Sequence, residues 1–238
     1  MRHAVILILF ASTGCLTFVQ PHMLDPGRGA APMTPGKVNV HGGVAGAYPG
    51  GGAGFGIEGQ VSDDFAVGFD CEDSAVQTAV GLAIPNGTYL TGQLNPSGWD
   101  NLAIRGAAGF GVDALPNIKN TPLAPWLGGT LGVVTSTTLG GLEPYLQLNL
   151  GVRRYVGGPD ALVATVPKIG GVGLIDNTVS AGATAGFKLG LSDSLSFYLS
   201  GSIAALVLTP DGTQNDVTPT LLQTSNGQLG ISYAFDMQ

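Results

Sequence analysis

The stretch Gln228-Leu229-Gly230-Ile231-Ser232-Tyr233-Ala234-Phe235 decides the fold. Every second side chain is large and apolar: Leu229, Ile231, Tyr233 and Phe235. Those between them are small or polar. A period of two puts one set on each face of a sheet. A soluble sheet alternates in the same way, so the stretch takes its meaning from how often it recurs.

It recurs from Lys37 onward. Val38, Val40 and Val44 open the series, then Phe55, Ile57 and Val61, then Phe65, Val67 and Phe69. Val76, Val80, Leu82 and Ile84 predict a fourth strand. Further strands are predicted around Leu102–Val112, Leu127–Val133, Leu146–Val152, Val179–Leu189 and Leu195–Ile203. With the last stretch this makes about ten strands, with eight or twelve as alternatives. The ambiguity lies between residues 65 and 101. There Asn86-Gly87 signals a hairpin, and Tyr89–Leu94 reads as a short strand or an extension.

The second set of alternating positions separates a membrane wall from a soluble sandwich. It holds His41, Glu58, Gln60, Asp70, Gln77, Arg105, Asp113, Gln147, Asn149, Arg153 and Lys188. Burying these in an apolar core is costly. If the apolar set is the buried one instead, the outer set should be mostly charged, yet it is largely Gly, Ala and Ser. Only 11% of residues are charged, against about 25% in soluble domains. Glycine makes up 39 of 238 residues, and small inward residues let a narrow barrel close. No apolar run reaches the roughly 18–20 residues of a spanning helix, so a membrane passage requires a closed barrel. Short connections (Ser62–Asp64, Thr135–Gly141, Ser192–Ser194) contrast with longer ones (Asn117–Leu123, Gly157–Asn177, Thr209–Asn226). That asymmetry belongs to outer-membrane barrels. Tyr48, Trp126 and Tyr155 sit near predicted strand ends, where interfacial girdles form.

The N-terminus reads as an address. Met1-Arg2-His3 is a basic start and Ala4–Ala11 an apolar core, so residues 1–14 are expected to be a signal peptide. Ser12-Thr13-Gly14-Cys15 resembles a lipoprotein lipobox, which implies lipid attachment at Cys15. The alternative is an ordinary cleaved signal with an incidental cysteine. Residues 15–36 carry four prolines without apolar periodicity. They are expected to be a flexible Pro/Gly-rich linker, leaving 37–238 as the barrel.

Chemistry has few candidates. The two cysteines, Cys15 and Cys71, and the unclustered histidines give no metal spacing, and no cofactor is expected. Gly54–Gly59 fits G-x-G-x-x-G, but no helix pattern follows, as a dinucleotide site requires. His41 is the single histidine after residue 36 and the one plausible base for a barrel hydrolase. Its plainer reading is a hydrogen bond inside the barrel. Glu58, Asp70, Arg105, Asp113, Arg153 and Lys188 are expected to form a polar network in the lumen, with an ion path as the functional version. A net charge of −7 argues against a nucleic-acid partner.

Residues 37–238 resemble the small bacterial outer-membrane barrels of the OmpA/OmpX-like class. The final strand resembles their C-terminal assembly signal, carried by Gln228, Gly230, Tyr233 and Phe235. The resemblance implies an all-β, closed, antiparallel up-and-down transmembrane barrel. It implies outer-membrane lipid and the barrel-assembly machinery as partners, and leaves any extracellular ligand open. The expected function is non-enzymatic: structural or adhesive, or a narrow passive pore. The alternatives are a lipid-modifying or proteolytic barrel enzyme, and a soluble periplasmic β-sandwich lipoprotein.

Overall fold

The computed structural model describes residues 29–48, 50–74, 87–114, 123–156, 175–210 and 220–236. These form ten strands: β1 (Lys37–Tyr48), β2 (Gly50–Ser62), β3 (Phe65–Ser74), β4 (Gly87–Leu94), β5 (Leu102–Ala114), β6 (Leu123–Ser136), β7 (Leu142–Tyr155), β8 (Ile175–Gly190), β9 (Leu195–Pro210) and β10 (Thr220–Asp236). Each pairs antiparallel with the next, and β1 pairs with β10, so the sheet closes into a barrel. The seam runs from Lys37↔Asp236 to Tyr48↔Ser225. On its other side β10 pairs with β9 from Tyr233↔Leu195 to Thr220↔Leu208. Closure satisfies every edge, which an isolated strand pattern cannot do.

The count of ten holds, but the fourth strand differs from the one predicted. β4 is Gly87–Leu94, bonded to β3 and β5; Val76–Ile84 lies outside the described residues. The reason is compositional. Of the residues facing outward from β4, only Leu90 and Leu94 are large and exposed, while Tyr89 and Gln93 point inward. The alternation there is weaker to the eye than in 76–84.

The two faces are inverted relative to a soluble protein. Large apolar side chains stand exposed on every strand. On β7, Leu148 is 60% exposed and Leu150 64%, while Gln147 is 7% exposed. Leu229, Ile231, Tyr233 and Phe235 of β10 all face out, and the last two rings stack 6.4 Å apart.

Both termini of the strand series, Lys37 and Asp236, lie at one end of the barrel. At that end the connections are 63–64, 95–101, 137–141 and 191–194; at the far end they are 49, 75–86, 115–122, 156–174 and 211–219. One terminus-end hairpin shows why its residues fit. Leu139 and Leu142 exchange backbone hydrogen bonds of 2.7 and 3.1 Å around Gly140-Gly141. Both glycines have positive φ, 57° and 93°, as the two-residue turn that matches strand twist demands.

Candidate functional site in the barrel interior

The interior is filled in three layers. At the far end, Trp126 of β6 and Tyr89 of β4 lie 5.6 Å apart, both almost fully buried, and the Arg153 guanidinium of β7 sits 3.9 Å from the Trp126 ring centroid. Such a contact attracts a cation to the ring face, more strongly when desolvated. Trp126 is therefore a plug and not part of an interfacial girdle. Its inward parity, shared with Gly128 and Thr130, places it there. The side chains of Tyr48 and Tyr155 lie outside the described residues.

The middle layer is polar. His41 of β1 and Asp70 of β3 meet across β2, with Nε2 to Oδ1 at 2.8 Å. Gly56 sits between them in register with both. A Cβ there would collide with Asp70 Oδ1 and lie 2.7 Å from His41 Cε1, so only glycine lets the two outer side chains meet over the central strand. Asn39 Nδ2 donates to Glu58 Oε1 at 3.1 Å.

Arg105 of β5 organises an extended hydrogen-bonded group. Its Nε donates to Gln93 Oε1 at 2.7 Å and its Nη1 to Gln147 Oε1 at 3.0 Å. Gln147 Nε2 donates to Asn149 Oδ1 at 2.5 Å, Asn149 Nδ2 to Thr184 Oγ1 at 3.5 Å, and Thr184 Oγ1 to Ser202 Oγ at 3.0 Å. This chain runs through amides and hydroxyls from β4 to β9. Glu58, Asp70 and Arg105 all line one cavity of about 40 Å³, with Gln93, Gln147 and Asn149. At roughly 10–15 Å³ per water, it has room for about three or four waters.

The third layer closes the terminus end. Gly29 and Ala30, expected in a flexible linker, are buried inside the barrel. Arg105 Nη2 donates to the Gly29 carbonyl at 2.7 Å. Gln93 Nε2 donates to the Ala30 carbonyl at 3.2 Å, and Asn95 Nδ2 donates to the same oxygen. The Ala30 amide donates to Ser136 Oγ at 2.7 Å, and Ser136 in turn donates to Glu143 Oε1 at 3.0 Å. The Ala30 methyl packs with Ala103, Val134 and Tyr145. A buried backbone needs its polar groups satisfied, and these side chains satisfy them.

Of the residues predicted for the polar network, Glu58, Asp70 and Arg105 converge on the cavity. Arg153 stands instead at the aromatic far end. Lys188 is half-buried on β8, in register with Glu143. The side chain of Asp113 and all of Cys15 lie outside the described residues. Gln228 and Gly230 face inward; Gln228 Nε2 donates to Tyr198 Oη at 3.4 Å. Gln147 is among the inward polar positions read from the sequence; Gln93, Asn95 and Ser136 are site residues not singled out there, although inward parity marks Gln93 and Ser136. Cys71 is a free thiol. Among the described residues no group of three or more metal-ligating side chains occurs.

No protein-family model matches this chain, and no curated protein matches it. Solved structures do. The outer-membrane protein OprG from Pseudomonas aeruginosa aligns over 89% of this chain and 99% of its own, at 11% identity and a TM-score of 0.38. Neisserial surface protein A aligns over 84% and 95%, at 9% identity and 0.37. The outer-membrane protease OmpT from Escherichia coli aligns over 85% and 98%, at 10% identity and 0.38. No residue role passes from them to this chain at such similarity.

Proposed function

We propose that this protein is a non-enzymatic bacterial outer-membrane barrel, closed to bulk flow. It serves the envelope as a scaffold and displays its far-end connections for adhesion. The observation that carries the reading is the inverted pair of faces: a closed barrel with large apolar side chains outward on every strand and polar ones inward. Leaving those outer side chains in water forgoes roughly 1.5–3 kcal/mol apiece, and lipid recovers it. β-Strands of this length, tilted, span a bilayer. The lipid of the outer membrane is then the partner of the wall, and the barrel-assembly machinery reads Tyr233 and Phe235 on β10. A soluble sandwich would bury the face that is exposed here.

A scaffold is favoured over a pore because the lumen is occupied at both ends and in the middle. Trp126, Tyr89 and Arg153 fill one end, the Arg105 chain fills the middle, and Gly29–Ala30 fills the other end. The His41–Asp70 pair is held inside the wall, with side chains 2% and 4% exposed, which favours a structural role over general-base catalysis. The test is reconstitution in planar bilayers. The purified full chain is expected to insert without steady conductance. A stable single-channel conductance would replace the scaffold with a pore.

A further inference from the structure

We infer that residues 29–33 are a strap that lids the polar cavity from the terminus end, seated in a receptor built for peptide backbone. The receptor draws on four consecutive parts of the wall. Gln93 comes from β4, Asn95 from the turn after it, Arg105 from β5 and Ser136 from β6. Three side-chain donors address two successive carbonyls, Gly29 and Ala30, and one acceptor takes the Ala30 amide. Every one of these contacts is to main chain, so the receptor reads an extended backbone and not a side chain. Gly29 is fixed by sterics: a Cβ there would run into Ser136 Cβ and Oγ and Glu143 Oε1.

The strap has a defined hinge. Lys37 N donates to Thr34 O at 3.1 Å, and Gly36 has φ of 81°. Pro35 then Gly36 at the two central positions make a type II turn, which needs φ > 0 at its second central residue. This turn redirects the chain from the barrel mouth into β1. Around the ring, β6 lies five strands from β1 in either direction. The segment from Ala30 to Lys37 therefore crosses the whole mouth, from the receptor on β4–β6 to the start of β1. Arg105 and Gln93 both line the cavity and hold the strap. Lifting the strap exposes the cavity to the terminus-end solvent and frees its donors for another carbonyl or carboxylate group.

The inference shares the Gly29–Ala30 layer with the scaffold reading, which still rests on the outward apolar wall, the far-end aromatic layer and the Arg105 chain if the strap proves not to lid the lumen. The test uses the full chain with Cys15→Ser and Cys71→Ser, carrying Ala103→Cys beneath the strap, folded in detergent micelles. Reaction of the introduced thiol with a charged methanethiosulfonate reports access, and hydrogen exchange at the Ala30 amide reports seating. The parent is expected to be unlabelled with Ala30 protected. Adding Gly29→Leu is expected to abolish Ala30 protection and open the introduced thiol to labelling, while the heat-modifiable gel mobility of the folded barrel is kept. A labelled parent, or a freely exchanging Ala30 in it, overturns the proposal. So does Gly29→Leu that keeps Ala30 protected, or one that frees Ala30 while the introduced thiol stays closed. If Gly29→Leu abolishes folding, Ser136→Ala replaces it, which removes the acceptor of the Ala30 amide; the same readings then decide.

Discussion

Gly56 shows how much a single missing Cβ decides. It lies between His41 and Asp70 on adjacent strands, and the 2.8 Å contact passes over it. Gly56→Ala is expected to destabilise the barrel by about 1–3 kcal/mol, the usual range for overpacking a filled interior. In an Asp70→Ala background the penalty should shrink, because the colliding Oδ1 is gone and coupled sites are non-additive. Equal penalties in both backgrounds, measured by urea titration in vesicles, would dissociate Gly56 from the pair. Trp126→Ala should cost about 3–5 kcal/mol, since it empties the far-end layer and strips Arg153 of its ring. An interfacial tryptophan would lose far less, and the same titration separates the two. The inward direction of His41 and Trp126 is legible in the alternation of the sequence. Their partners are not, because contacts over a neighbouring strand depend on register, which a single chain of letters does not contain.

Strands are legible in proportion to the contrast between their faces. In β7, Leu146, Leu148, Leu150 and Val152 stand against Gln147, Asn149 and Arg153, and that alternation alone places the strand. In β4, GTYLTGQL, Tyr89 points inward while Thr88 and Gly92 share the outward face with Leu90 and Leu94, so hydrophobicity scarcely distinguishes the faces. The strap is illegible for a different reason. Gly29-Ala30-Ala31 has no periodicity, and its binding energy comes from backbone groups that every residue carries. Only Pro35-Gly36 signals a turn. The lipid-facing reading of β7 makes its own prediction. Leu148→Arg near mid-strand should cost roughly 2–4 kcal/mol, as arginine does at the bilayer midplane. On a water-facing surface the same change would be neutral. Urea midpoints in lipid vesicles separate the two, and an unchanged midpoint would remove β7 from the membrane.

At the scale of the molecule, composition already excludes much. A chain with 11% charged residues cannot cover a soluble surface of ordinary polarity, yet it suits a barrel whose charge is turned inward. What composition leaves open is whether the lumen conducts. That depends on side-chain volume within ten closed strands, and the large interior aromatics at Tyr89, Trp126, Tyr145 and Tyr198 argue for a filled one. The central claim is that these strands form a closed barrel seated in the outer membrane. Gel mobility of carbonate-washed outer-membrane fractions, with and without boiling, tests it most directly. The protein is expected to stay with the membrane and to migrate at a different apparent mass before boiling than after. Extraction by carbonate, with one mobility under both conditions, would contradict it.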